Sequence, residues 1–136
     1  MILPDVNVLV HAHNADCAVH ERARRWWVEG IGLAWAVILG FVRITTNRRV
    51  VARPLAVHEV MRRLQAWLAL PHVHVAQPSE THFTRLRAEL ERLGTAANLT
   101  TDAHLAVLAM ERGYVLYSTD ADFARFAGLR WVNPCK

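Results

Sequence analysis

Four aspartates stand out in this chain by type and by spacing: Asp5, Asp102, Asp120 and Asp122. Asp5 follows the apolar opening "MILP", and Asn7 comes two residues later. Asp102 begins an amphipathic stretch. Asp120 and Asp122 come directly after "YVLYS". Carboxylates gathered at one place repel, and at ~4 Å two like charges cost several kcal/mol at a protein-like effective dielectric. Protons or a cation must offset that cost. A hard divalent ion held by oxygen ligands is the usual solution, and Mg2+ or Mn2+ suits an all-carboxylate set. No histidine and cysteine set has zinc spacing; His72 and His74 share one side of a short strand without further ligands. The chemistry implied is hydrolysis, in which the ion lowers the pKa of water and an aspartate takes or steers the proton.

Each acid also has a purely structural reading. Asp102 suits the positive end of a helix dipole. Asp122 can cap "FARF" and Asp120 can serve a turn. Asp5 resists such a reading, because an acid directly after a core strand costs stability without a partner. Asn7 can donate an amide hydrogen bond to it.

The elements that must position these residues alternate. "MILP" reads as a buried strand and "VNVLVHAHN" as a helical segment. "ADCAVHERARRWWVEG" reads as a helix capped by Asp16 and ended by Gly30. "GLAWAVI" is expected to be the second strand, and "LGFVRITTNRRV" a helix despite its β-branched residues. "AVHEVMRRLQAWLAL" is a helix by the spacing of Val57, Val60, Met61, Leu64, Trp67 and Leu68. "HVHVA" is a short strand. "PSETHFTRLRAELERLG" is a helix with Ser79 or Thr81 as cap and Phe83, Leu86, Leu90 and Leu93 on one side, stopped by Gly94. Thr100 or Thr101 caps a helix that presents Leu105, Leu108 and Ala109 to the core and closes at Gly113. "YVLYS" is a strand, "TDADFARF" a turn and short helix, and "LRWV" a last strand.

Alternation of this kind predicts an α/β fold with a mostly parallel central sheet and helices on both faces. Ligands in such sheets bind outside the carboxyl ends of the strands. All four aspartates fall at that edge.

These residues resemble a known family. "PDVNVLVHAHN", "GFVRITTNRRV" and "NLTTDAHLAVLAMERGYVLYSTDADFARFAGLRWVNP" are similar to the PIN domain, and within it to the VapC-type toxin ribonucleases. The resemblance covers essentially the whole chain, residues 1–136, as one domain. It implies a three-layer α/β/α sandwich, magnesium-dependent RNA cleavage, a cognate VapB-type antitoxin whose tail blocks the site, and a homodimer. By position, Asp5, Asp102 and Asp120 match the family's metal-binding acids and Asp122 the neighbouring aspartate of the same motif. Asn7 matches the residue that orients the first acid, and Thr119 the small hydroxyl residue before the last ones. One departure stands out. The family's glutamate before the arginine of "FVR" falls here on Ile38 or Gly40, and Glu21 is the first substitute to examine.

Composition fits this picture. The chain has 136 residues, 53% of them hydrophobic and 21% charged, enough for a packed core. No apolar run approaches the ~20 residues that span a bilayer, and no secretory leader is apparent, so a cytoplasmic location is expected. Two distant cysteines, Cys17 and Cys135, imply no disulfide framework. The net charge is +4 and the pI about 9.8, which favours a polyanionic partner. Of 16 basic residues only Lys136 is a lysine. Arginine forks suit phosphate, and Arg43, Arg48 and Arg49 are candidates to hold the RNA backbone.

Two other readings compete. "DVNVLV" resembles the opening of haloacid-dehalogenase-like phosphatases, but Asn7 replaces their second aspartate, and their lysine has no counterpart besides Lys136. A nucleic-acid-binding or partner-binding module with a weakened site draws support from the missing glutamate; the four retained aspartates oppose it.

Overall fold

The computed structural model describes residues 1–13 and 30–135. Residues 15–29 of the expected helix, with Asp16, Cys17, Glu21, Trp26 and Trp27, lie outside the described residues, as does Lys136; Gly30, its expected stop, directly precedes the second strand.

Five strands pair in parallel in the order β3-β2-β1-β4-β5: β1 (Ile2–Pro4), β2 (Ile31–Ala34), β3 (Val73–Ala76), β4 (Val115–Tyr117) and β5 (Trp131–Val132). β1 sits at the centre. Ile2 and Leu3 are fully buried, as are Ile31, Leu33 and Ala34 of β2. Strands buried on both faces read as apolar runs rather than alternating patterns, which explains "MIL" and "IGLA".

Helices α1 (Val6–His13), α2 (Trp35–Thr45) and α3 (Val57–Leu68) pack in succession, and α4 (His82–Leu93) packs on α5 (Thr100–Arg112). Right-handed crossovers place these two groups on opposite faces of the sheet, which gives the α/β/α sandwich. Chain direction across the sheet reverses at β1. It runs outward through β2 and β3, then returns through α4 and α5 to β4 on the other side. The carboxyl ends of β1 and β4 therefore flank a topological switch point, where such sheets bind ligands.

Several boundaries differ from the sequence reading. "GLAWAVI" is not one strand: β2 ends at Ala34, and Trp35 starts α2. No side chain caps that helix, so nothing in "LAWAVIL" marks the change. In α3, Val60 and Leu64 are buried, but Val57 and Met61 stand 63% and 50% exposed. Phe83 of α4 is likewise exposed. Neither Thr100 nor Thr101 caps α5. Its N-cap is Leu99, and the Thr100 hydroxyl donates to the carbonyl of Ala97. Gly94 and Gly113 end α4 and α5 at φ 72° and 74°, where a side chain would be strained.

Candidate active site

β1 delivers Asp5 to the carboxyl edge. Its N–H donates to the carbonyl of Tyr117 at 2.8 Å, continuing the β1–β4 ladder one residue beyond β1. Asp5 is buried, 7% exposed, and each carboxylate oxygen accepts one hydrogen bond. Oδ1 accepts the Val6 N–H at 2.7 Å, and Oδ2 accepts the Ser118 hydroxyl at 2.8 Å. Burial raises its pKa, the hydrogen bonds from Ser118 and Val6 pull it back, and the charge of Asp120 pushes it up again.

β4 delivers the second pair of acids. Its chain leaves the sheet at Ser118, a fully buried hydroxyl that also accepts the Asp120 N–H at 3.0 Å. Asp120 then caps a short 3-10 helix (Ala121–Arg125), its Oδ1 accepting the Asp122 N–H at 2.9 Å. The cap is thus Asp120 and not Asp122, and Asp122 is released to the surface.

Asp102 arrives from the first turn of α5. Oxygens of Asp102, Asp120 and Asp122 lie within 4.8 Å of one another. Burial raises the Asp102 pKa to about 6, with the charges of Asp5, Asp120 and Asp122 adding to the effect. Four acids from three segments therefore act on one another at one edge of the sheet.

This donor set fits a hard divalent cation. Metal–oxygen distances of about 2.0–2.6 Å put opposite ligands roughly 4–5 Å apart, which matches the spacing of Asp102, Asp120 and Asp122; the predicted ligand Asp5 stands beside that trio and is not one of its three members. The donors are all oxygen, and the mutual repulsion that raises Asp102 is what a cation would relieve.

The other sequence candidates separate. Asn7 does not bond Asp5; its Oδ1 accepts the Thr119 N–H at 3.4 Å, tying α1 to the loop after β4. The hydroxyl that holds Asp5 belongs to Ser118, which the sequence reading did not single out; Thr119 is the next residue. Ile38 is 4% exposed and Gly40 is also buried; a β-carbon on Gly40 would come within 3.2 Å of the Val6 side chain. A glutamate at Ile38 would be buried, and one at Gly40 would first have to displace the Val6 side chain by a few tenths of an ångström. Arg43, Arg48 and Arg49 are exposed. α2 runs beside α1 from Gly40, next to Val6, to Thr45, which lines a small cavity with Val10 and His13. Arg43 lies on the last turn of α2, and Arg48 and Arg49 lie in the turn after it.

Comparison with known proteins agrees with this geometry. Residues 2–129 match the model of the PIN domain. The chain belongs to the PIN domain family. It is 39% identical to Ribonuclease VapC33 of Mycobacterium tuberculosis, covering 100% of this chain and 99% of that protein. It is 37% identical to Ribonuclease VapC37 of the same species, covering 98% and 97%. Among solved structures, a toxin–antitoxin complex from Klebsiella pneumoniae superposes with a TM-score of 0.69 at 16% identity, over 98% of each chain. VapC20 of M. tuberculosis, described as a sarcin–ricin loop cleaving toxin, gives 0.67 at 20% identity over 95% and 96%. At these identities the structural likeness speaks for the PIN fold alone. The dehalogenase-like reading is not favoured by any of this. Among the described residues, no helix is long and apolar enough to cross a membrane.

Proposed function

We propose that this PIN-domain chain is a metal-dependent endoribonuclease, the toxin of a toxin–antitoxin pair, which hydrolyses RNA phosphodiester bonds at the aspartate edge. The observation that carries this reading is the convergence of Asp102, Asp120 and Asp122 within 4.8 Å beside buried Asp5. It occurs in a chain 39% identical over its whole length to a VapC ribonuclease.

PIN-domain nucleases use divalent metal ions, and we assign Mg2+ here, with Mn2+ able to fill the same role. Asp5, Asp102 and Asp120 are the ligands in this proposal, and Asp122 is the fourth acid of the site. When bound, the ion supplies Lewis-acid activation of water and offsets charge on the phosphate. The chain's own residues do the rest. Ser118 and the Val6 N–H fix both oxygens of Asp5, so its outward lone pairs keep one orientation. Asn7 holds the Thr119 peptide and with it the start of the acidic loop. Carboxylate oxygens left over accept the proton of the attacking water. Arg43, Arg48 and Arg49 are assigned to RNA beyond the scissile bond.

The partners proposed are an RNA, a second copy of this chain, and a VapB-type antitoxin. An arginine on the antitoxin's tail would reach the aspartates as a bidentate cation in place of the metal. Apolar side chains of the antitoxin's helix are assigned to the groove around Trp26 and Trp27, which lie outside the described residues. The test is cleavage of a structured RNA by the purified chain in Mg2+ and in EDTA. Cleavage only in Mg2+, stopped by the antitoxin, is expected. Metal-independent cleavage or none removes the reading.

A further inference from the structure

The 3-10 helix after β4 carries more than Asp122. Its sequence is "ADFAR", followed by Phe126. A 3-10 helix has three residues per turn, so positions i and i+3 eclipse. Phe123 and Phe126 are such a pair, and both are buried, at 1% and 3% exposure. Their rings pack with centroids 6.1 Å apart. Asp122 and Arg125 are the neighbouring pair, and both face outward. The Arg125 Nε lies 3.7 Å from Asp122 Oδ1. The two phenylalanines therefore hold a guanidinium at the rim of the acidic site. The backbone is held as well: Arg92 Nη2 of α4 donates to the carbonyl of Arg125 at 3.0 Å, while the same side chain pairs with Glu89.

An ion pair of this kind is weak. Both side chains are about half exposed, and exposed pairs contribute roughly 0–1 kcal/mol. The guanidinium is thus positioned but not committed. An incoming phosphodiester faces the opposite problem. It must approach four aspartates, and like charges at such range repel. A cation bound by the neighbouring acids would offset the charge of Asp122 and weaken the hold of that carboxylate on Arg125. The freed fork would then face the phosphate at the position where the negative strand needs a donor.

We propose that Arg125 is a substrate-binding residue that contacts an RNA phosphate at the rim of the aspartate site and exchanges Asp122 for that phosphate when substrate arrives. This inference rests on the ribonuclease reading above. Unlike Arg43, Arg48 and Arg49, Arg125 sits in direct ion-pair contact with one of the clustered acids.

The test is fluorescence anisotropy with a labelled single-stranded RNA oligonucleotide at several salt concentrations. The parent is the full chain with Asp102→Asn, so that the RNA stays intact, and Arg125→Ala and Arg125→Lys are added to it. One lost phosphate contact on a single strand should flatten the slope of log affinity against log salt by about 0.7. Arg125→Ala should weaken binding about five- to tenfold at low salt. Arg125→Lys should keep the slope and recover part of the affinity, because it retains charge but loses the fork. In the otherwise wild-type chain, Arg125→Ala should raise KM more than it lowers kcat. Equal affinity and slope for parent and Arg125→Ala would overturn the proposal and leave the ribonuclease reading standing, with Arg125 a partner of Asp122 only. Failure of the wild type to cleave and of the parent to bind RNA would overturn both.

Discussion

Asp5 and Ser118, 113 residues apart in the chain, are joined by a 2.8 Å hydrogen bond in the interior. It closes the gap between the two strands at the switch point. The same hydroxyl accepts from Asp120, so one side chain sets the spacing of two acids. Replacing Ser118 with alanine leaves a buried carboxylate one donor short, a loss of about 1–3 kcal/mol. Urea unfolding of Ser118→Ala should show that loss, and the Asp5 pKa should rise further. Ser118→Thr, which keeps the hydroxyl, should restore most of the stability.

Removing charge from the cluster should act in the opposite direction. Asp102→Asn ends the repulsion with Asp5, Asp120 and Asp122. Without metal, this variant should melt at or above the wild-type temperature at pH 7. Added Mg2+ should raise the wild-type midpoint and barely move that of the variant. A variant that melts well below the wild type would show that Asp102 holds the fold rather than an ion.

The pH dependence follows from the same residue. The folded pKa of Asp102 is about 6, above the ordinary aspartate value of 3.8. Such an acid favours the folded state only while protonated, so its contribution is present below about pH 4 and is lost as pH rises through 6. The metal-free wild type should therefore lose melting temperature relative to Asp102→Asn between pH 4 and pH 7. Protons and cations compete for the same oxygens, so Mn2+ affinity should climb across that window. Parallel melting curves for the two proteins would contradict the shift.

Restoring the family's glutamate should fail. In Gly40→Glu, a β-carbon would press on Val6 at 3.2 Å, and overpacking of this sort costs about 1–3 kcal/mol. Differential scanning fluorimetry should record a lower midpoint, with no gain in RNA cleavage. A stable and more active Gly40→Glu would mean that the site lacks an acid which Asp122 does not replace.

Much of the architecture was legible because burial leaves a mark on composition. "MIL" is apolar because both faces of β1 are covered, and the acids after "MILP" and "YVLYS" follow directly on the ends of parallel strands. What escaped had no local mark. The passage from β2 to α2 runs through "LAWAVIL", apolar throughout, with no capping side chain. Ser118 and Thr119 are adjacent hydroxyl residues, and only the strand register decides which one faces Asp5. The exposed Met61 and Val57 keep the helical spacing of core residues, so periodicity alone placed them inside. Arg125 became visible only once Phe123 and Phe126 were seen to fix its side of the turn.

The central claim is that Asp5, Asp102 and Asp120 share one cation site. Mn2+ binding, followed by the EPR signal of the free ion, tests this most directly in the wild type and in Asp5→Asn, Asp102→Asn and Asp120→Asn. The account predicts that each substitution weakens binding at least about tenfold, as expected when a first ligand is lost, and that cleavage falls with it. Undiminished Mn2+ affinity in any two of the three variants, with their folds intact, would contradict it.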